Sequence, residues 1–293
     1  MYDAPSPAGE TTLPTVHGDG VGHDLVFARC HALLATAGRA AVRPFCNPGT
    51  VSWAYVVHCP VTRRAAVIDP VLDDRAFMAD AICDHVRRGG LTVDWLLETH
   101  IQADHRTAAD LLRRRLGGMV AMGAPASAVP SLRGADDAAT GFDRVFRDGA
   151  EFRVGDVSGL VLHAPGHTPD AVAYLIGDAL FVGDTMFMPD VGTGRTDFPG
   201  GGARALFRST RRLLALPDAV RLFVGHDYPP RGRADHACET TVAAQRNGNI
   251  HVGARMTERE FIILRHRRDA ALPSPQGMAQ AVAFNRHAGR PQD

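Results

Sequence analysis

In the stretch Glu98-Thr99-His100-Ile101-Gln102-Ala103-Asp104-His105, two imidazoles and the Asp104 carboxylate lie within six residues of one another. Those are metal-donor types, and a metal site needs several of them fixed by rigid elements with one side left open. Three more candidates stand at the ends of apolar runs: His167 in Ala164-Pro165-Gly166-His167-Thr168, Asp184 in Gly183-Asp184-Thr185, and His226 in Gly225-His226-Asp227-Tyr228. Each has an ordinary reading when taken singly. A histidine after Pro-Gly is usually a turn residue, and Gly-Asp-Thr is a common turn or helix N-cap. Four such signals on strand exits of one chain argue instead that they converge.

The elements that must position them can be read from hydrophobic period. Val93, Trp95, Leu96 and Leu97 form a run short enough for one buried strand leading into His100. Ala108, Ala109, Leu111, Leu112 and Leu116 recur as a helix closed by Gly117-Gly118. Upstream, residues 51–57 and 65–70 read as paired strands turning near Thr62-Arg63-Arg64, followed by a helix from Ala76 to Arg88. Downstream, strands at 152–154, 160–163, 171–176 and 179–183 suggest an antiparallel meander. A glycine-rich loop, 191–202, precedes a helix with Leu206, Phe207, Thr210, Leu213 and Leu214 on one face. The strand 221–224 ends at His226, helical character is expected over 235–246, and Thr257-Glu258-Arg259-Glu260 is a capping-box pattern. At the other end, residues 1–20 read as a flexible lead, followed by a helix through Leu25, Val26, Cys30, Leu33 and Leu34.

Composition narrows the class. The 293 residues are 45% apolar and 22% charged, with a formal net charge of zero, which argues against nucleic acid or a membrane as partner. Every basic side chain is Arg, with no Lys in the chain. The five cysteines are scattered and form no C-x-x-C pair, so neither a disulfide framework nor a zinc ribbon is expected. No signal peptide or spanning segment is visible, and the chain reads as soluble and cytoplasmic.

The ordered set Thr-His-x-x-x-Asp-His, Pro-Gly-His-Thr, Gly-Asp-Thr and Gly-His-Asp-Tyr resembles the metallo-β-lactamase superfamily over about residues 45–255. The resemblance implies an α/β fold, an αββα sandwich of two mixed β-sheets flanked by helices. It divides the chain into an N-terminal extension, 1–44, and a catalytic domain, 45–293. The run Pro189-Asp190-Val191-Gly192-Thr193-Gly194-Arg195-Thr196-Asp197-Phe198 is similar to the persulfide dioxygenase branch, a relative of glyoxalase II.

That branch implies one Fe(II) per chain, held by residues matching His100, His167 and Asp184. Glutathione persulfide, or a similar small persulfide, would be oxidised by dioxygen to sulfite and thiol. The superfamily's second motif histidine is replaced here by Gln102, a neutral carboxamide and a poor zinc donor. The two-histidine, one-carboxylate triad of non-haem iron oxygenases does not need it. Gln102, Asp104, His105, His226 and Tyr228 then become catalytic partners around the metal or a bound oxygen species. Arg195 either grips a substrate carboxylate or ties its loop to Asp197 or Asp190. The competing readings are a metal-dependent hydrolase of glutathione thioesters, of the glyoxalase II type and with zinc or mixed metals, and a non-catalytic descendant; a homodimer is left open.

Overall fold

A computed structural model describes residues 20–36, 38–123 and 141–291. Residues 1–19 of the expected lead, and residues 124–140, therefore lie outside the described residues. Helix α1, Gly20–Thr36, occupies the position expected for the first helix. Two six-stranded sheets follow. The first contains β1 (Ala41–Asn47), β2 (Ser52–His58), β3 (Arg64–Ile68), β5 (Thr92–Glu98), β7 (Met119–Gly123) and β8 (Arg144–Phe146), in that spatial order. Its first three strands pair antiparallel and the rest parallel. Two-residue strands β4 (Val71–Leu72) and β6 (Arg106–Thr107) pair beside it. The second sheet runs β9 (Glu151–Val154), β10 (Val157–His163), β11 (Val172–Ile176), β12 (Ala179–Phe181), β13 (Arg221–Phe223) and β14 (Glu239–Thr241). The expected meander is β9 to β12, and β13 joins β12 in parallel.

Strand alternation builds the layers. In β2, Tyr55 and Val57 point between the sheets, while Ala54 and Val56 point outward, as a period of two requires. The inward set meets Val161, Tyr174, Phe181 and Phe223 of the second sheet. Phe181 and Phe223 stack at 5.0 Å, and Tyr55 leans on both at 5.3 and 5.4 Å. The outer face of the first sheet is covered by α2 (Phe77–Arg88) and α3 (Ala109–Leu116) through Met78, Ile82 and Leu112. On the second sheet, α4 (Ala203–Leu214) lays down Leu206, Phe207, Leu213 and Leu214. Each such fully buried leucine contributes about 2 kcal/mol. Three apolar layers between four layers of structure make the αββα sandwich.

Strand β1 spans residues 41–47, and α1 buries Val26 and Cys30 against the second sheet. Two details differ from the sequence reading. The segment expected to be helical from 235 is extended first: β14 pairs with β13, and α5 covers only Val242–Gly248. Edge pairing with Arg221–Phe223 overrides the local Ala-rich helical preference. Beyond α6 (Glu258–Asp269), whose capping box is intact, the chain forms a further helix, α7 (Met278–Asn285), for which the sequence reading had no element.

Candidate metal centre

Every expected donor comes from the carboxyl end of a strand: His100, Asp104 and His105 after β5, His167 after β10, Asp184 after β12, His226 after β13. Parallel pairing of β12 with β13 brings two of those ends side by side, and the sandwich brings β5 to meet them. One set, His100, His167 and Asp184, is buried, with one ligand atom from each within 4.8 Å of the others. A second set, Asp104, His105 and His226, meets the same spacing.

The two sets differ in what their atoms already do. His100 Nδ1 lies 3.0 Å from Thr99 Oγ1, and His167 Nδ1 lies 2.9 Å from the Arg195 carbonyl. Both rings therefore keep Nε2 for a ligand, their orientation fixed through the other nitrogen. His167 Nε2 is 3.5 Å from Asp184 Oδ2. Burial, more than the opposing pull of Asp184, brings the His100 pKa down to about 3, so its imidazole is neutral with a lone pair to give. Two imidazoles and a carboxylate, each positioned by an outer partner, fit one metal ion. Zinc and iron both accept this donor set.

His226 is committed elsewhere. Its Nδ1 is 2.8 Å from Asp184 Oδ1, and its Nε2 is 2.8 Å from Asp104 Oδ2 and 2.9 Å from Ser52 Oγ. Burial alone would discharge this ring, but Asp184 and Asp104 together hold its proton well above the usual range. In return the Asp184 carboxyl, which burial would raise, stays far below the ordinary carboxylate value. His226 thus links two carboxylates and orients Asp184.

Gln102 is buried, with Nε2 3.4 Å from His100 Nδ1 and Oε1 meeting no protein donor. Tyr228 stacks parallel on His226 at 5.6 Å and lines a cavity of about 610 Å³ together with His167, Asp184 and Phe198. Arg195 also reaches that cavity, but its fork is occupied. Nε and Nη2 each lie 2.6 Å from Asp197, and Nη1 donates to the Pro273 carbonyl at 2.7 Å. Of the two expectations for Arg195, the loop tie is the one the geometry displays.

Several contributors act through contacts that the motifs do not spell out. Asp69, at the exit of β3 with φ +48°, accepts from Thr99 N and Oγ1, both at 2.7 Å, and so braces the residue that holds His100. Its only sequence hint is the Ile-Asp-Pro end of a strand. Gly183, with φ +50°, packs where a Cβ would sit 2.3 Å from Thr99 Oγ1. At Gly225 a Cβ would approach Asp184 Oδ1 to 2.5 Å. These are tertiary contacts, invisible in spacing.

Comparison with known proteins agrees with this geometry. The chain is 43% identical over 283 residues to a beta-lactamase hydrolase-like protein of Agrobacterium fabrum, covering 92% of this chain and 65% of that relative, so it spans about two thirds of the relative's length. It is 38% identical to glyoxylase B2 of Dictyostelium discoideum, covering 78% and 84% of the two chains. The persulfide dioxygenase ETHE1 of Homo sapiens is 29% identical, with 85% and 88% covered. The crystal structure of ETHE1 from Myxococcus xanthus superposes with a TM-score of 0.71 at 33% identity, covering 85% of this chain and 100% of that one. The family model matches residues 47–226, from the end of β1 through the histidine that clasps Asp184, and with the sandwich and its strand-end donors it makes the chain a member of the metallo-β-lactamase superfamily.

Proposed function

We propose that this chain is a persulfide dioxygenase with one Fe(II) held by His100, His167 and Asp184. The observation that carries the reading is the asymmetry between the two donor sets: the first is buried, with Nε2 of His100 and of His167 left for a ligand, while His226 of the second has both nitrogens engaged. Gln102 adds to it, since the imidazole that a paired-zinc site would use beside His100 and His167 is missing. A bound Fe(II) would supply a vacant-position centre for sulfur and dioxygen. The net reaction balances as RSSH + O₂ + H₂O giving RSH and H₂SO₃: the outer sulfur is oxidised, dioxygen is reduced, and water supplies the third sulfite oxygen.

The chain's own residues shape the rest. Phe187 and Phe198 give the cavity apolar walls that limit water beside the ligand set. Asp104 lines the cavity and shares a proton with His226 at 2.8 Å behind it, and Tyr228 lines the same space. The substrate is a low-molecular-mass thiol persulfide, and nothing in the charge pattern favours nucleic acid or a membrane surface. Among the described residues no helix is long and apolar enough to cross a membrane.

A second reading, a metal-dependent hydrolase of thioesters, is favoured by the likeness to glyoxylase B2. Elemental analysis of purified protein with an oxygen electrode separates the two. Oxygen uptake with glutathione persulfide, matched by sulfite and by one iron per chain, is the expected result. Hydrolysis of S-lactoylglutathione without oxygen uptake, on zinc, would replace it.

A further inference from the structure

Six charged side chains line the cavity beside the ligand set: Asp104, Asp184, Asp190, Arg195, Arg265 and Arg268. Five have partners. Asp104 and Asp184 are bridged by His226, Asp190 is bound by Arg233 at 2.7 and 3.1 Å, and Arg195 is closed by Asp197. Arg265 is buried against Asp269 and reaches the Thr193 carbonyl at 3.3 Å. Of these six, Arg268 alone makes no ion pair or side-chain hydrogen bond, and it is exposed.

We propose that Arg268 anchors a carboxylate on the body of the thiol whose sulfur enters the metal centre. The inference rests on the reading that the site takes a thiol-derived substrate, persulfide or thioester. Arg268 follows Arg265 by three residues, so the two share a face of α6. The platform beneath it is rigid: Thr196 N and Oγ1 donate to Asp269 Oδ2 at 3.0 and 2.7 Å, tying the last turn of α6 to the loop that carries Arg195. A guanidinium on such a base offers a two-pronged match to a carboxylate. Around it Tyr228, Ile250 and Leu272 expose apolar surface into the same cavity, suited to the carbon body of a small ligand. The cavity, about 610 Å³, is of the size that encloses small molecules. Sulfur at the metal end and carboxylate at Arg268 define the ligand class, a small anionic thiol.

Binding of glutathione to metal-loaded protein, measured by calorimetry, tests this directly, with glutathione diethyl ester as the uncharged probe. Arg268→Gln should weaken glutathione about tenfold, the loss of one solvent-accessible charge-assisted pair. Arg268→Lys should recover part of that loss, and Arg267→Gln on the same helix should leave binding within about twofold. The ester should bind wild type about as weakly as glutathione binds Arg268→Gln. Unchanged binding in Arg268→Gln, an equal loss in Arg267→Gln, an ester that binds as tightly as the acid, or no glutathione binding to wild type would each overturn the assignment. Turnover assays keep the two claims apart. Arg268-dependent binding without oxygen uptake or thioester hydrolysis would sink the proposed reaction and leave the anchor. Oxygen uptake with a KM indifferent to Arg268→Gln would sink the anchor and leave the reaction.

Discussion

His226 Nδ1 lies 2.8 Å from Asp184 Oδ1, and this single bond turns the other oxygen of Asp184 toward His167. The carboxylate is aimed by a histidine that is itself held by Asp104 and Ser52. His226→Gln should therefore keep the sandwich and lose metal affinity by about 10- to 100-fold, the usual effect of removing an outer partner. Competition against a chelator measures it. Unaltered affinity would remove His226 from this role.

The approach of backbone to the same carboxylate gives a second handle. A methyl at position 225 would lie 2.5 Å from Asp184 Oδ1 and 2.9 Å from the Gly183 carbonyl carbon. Since backbone cannot yield cheaply, Asp184 must move. Gly225→Ala is expected to lower metal affinity by about tenfold while circular dichroism stays native. Gly202→Ala, where nothing lies within 4 Å of the added carbon, is the control and should bind metal normally.

How much of this was legible beforehand depended on whether a feature is local. His100, His167 and Asp184 stand at strand exits, so periodicity followed by polar punctuation made them candidates, and the family resemblance grouped them as one ligand set. Strand β14 was hidden because Glu239-Thr240-Thr241 runs into an Ala-rich segment, and only pairing with β13 makes it extended. Asp69, Ser52 and Gly225 act across the sandwich on residues 30, 174 and 41 positions away. No window of sequence contains such pairs. The role of Arg195 could not be decided either, because Asp197 and Pro273 compete for it only in the folded chain.

His251 carries a pH dependence. Its Nδ1 accepts the Thr193 N–H at 3.0 Å, holding the glycine-rich loop, and burial, helped by the charges of Arg265 and Arg268, lowers its pKa to about 3. An unfolded histidine titrates near about 6.5. Between those values the unfolded chain binds the extra proton and the folded chain does not, so stability falls as pH falls through that window. His251→Phe should be less stable at neutral pH, with a flatter decline on acidification. Urea midpoints of metal-free protein between about pH 7 and 4 measure both. Parallel curves for the two proteins would show that His251 is not a contributor.

Gln102→His restores the imidazole that the superfamily motif has at this position. It does not release His226 from its two carboxylates. Metal content should stay at about one ion per chain, and oxygen uptake should survive within about threefold, since the triad itself is untouched. Two ions per chain, with new thioester hydrolysis, would instead favour the hydrolase reading.

The Arg195–Asp197 pair sets apart holding a loop from holding a substrate. Arg195 is largely enclosed, and both prongs of its fork meet Asp197 while Nη1 secures the Pro273 carbonyl. Removing either partner should destabilise the loop, and removing both should cost little more than removing one. A double-mutant cycle of Arg195→Gln and Asp197→Asn, followed by denaturant unfolding, should give a coupling of about 1 kcal/mol. If Arg195 gripped the substrate instead, the two changes would be independent in stability, and Asp197→Asn would tighten binding by freeing the guanidinium. The bidentate geometry favours the first outcome, because a carboxylate entering the cavity would have to displace one already held by two bonds two residues away along the chain.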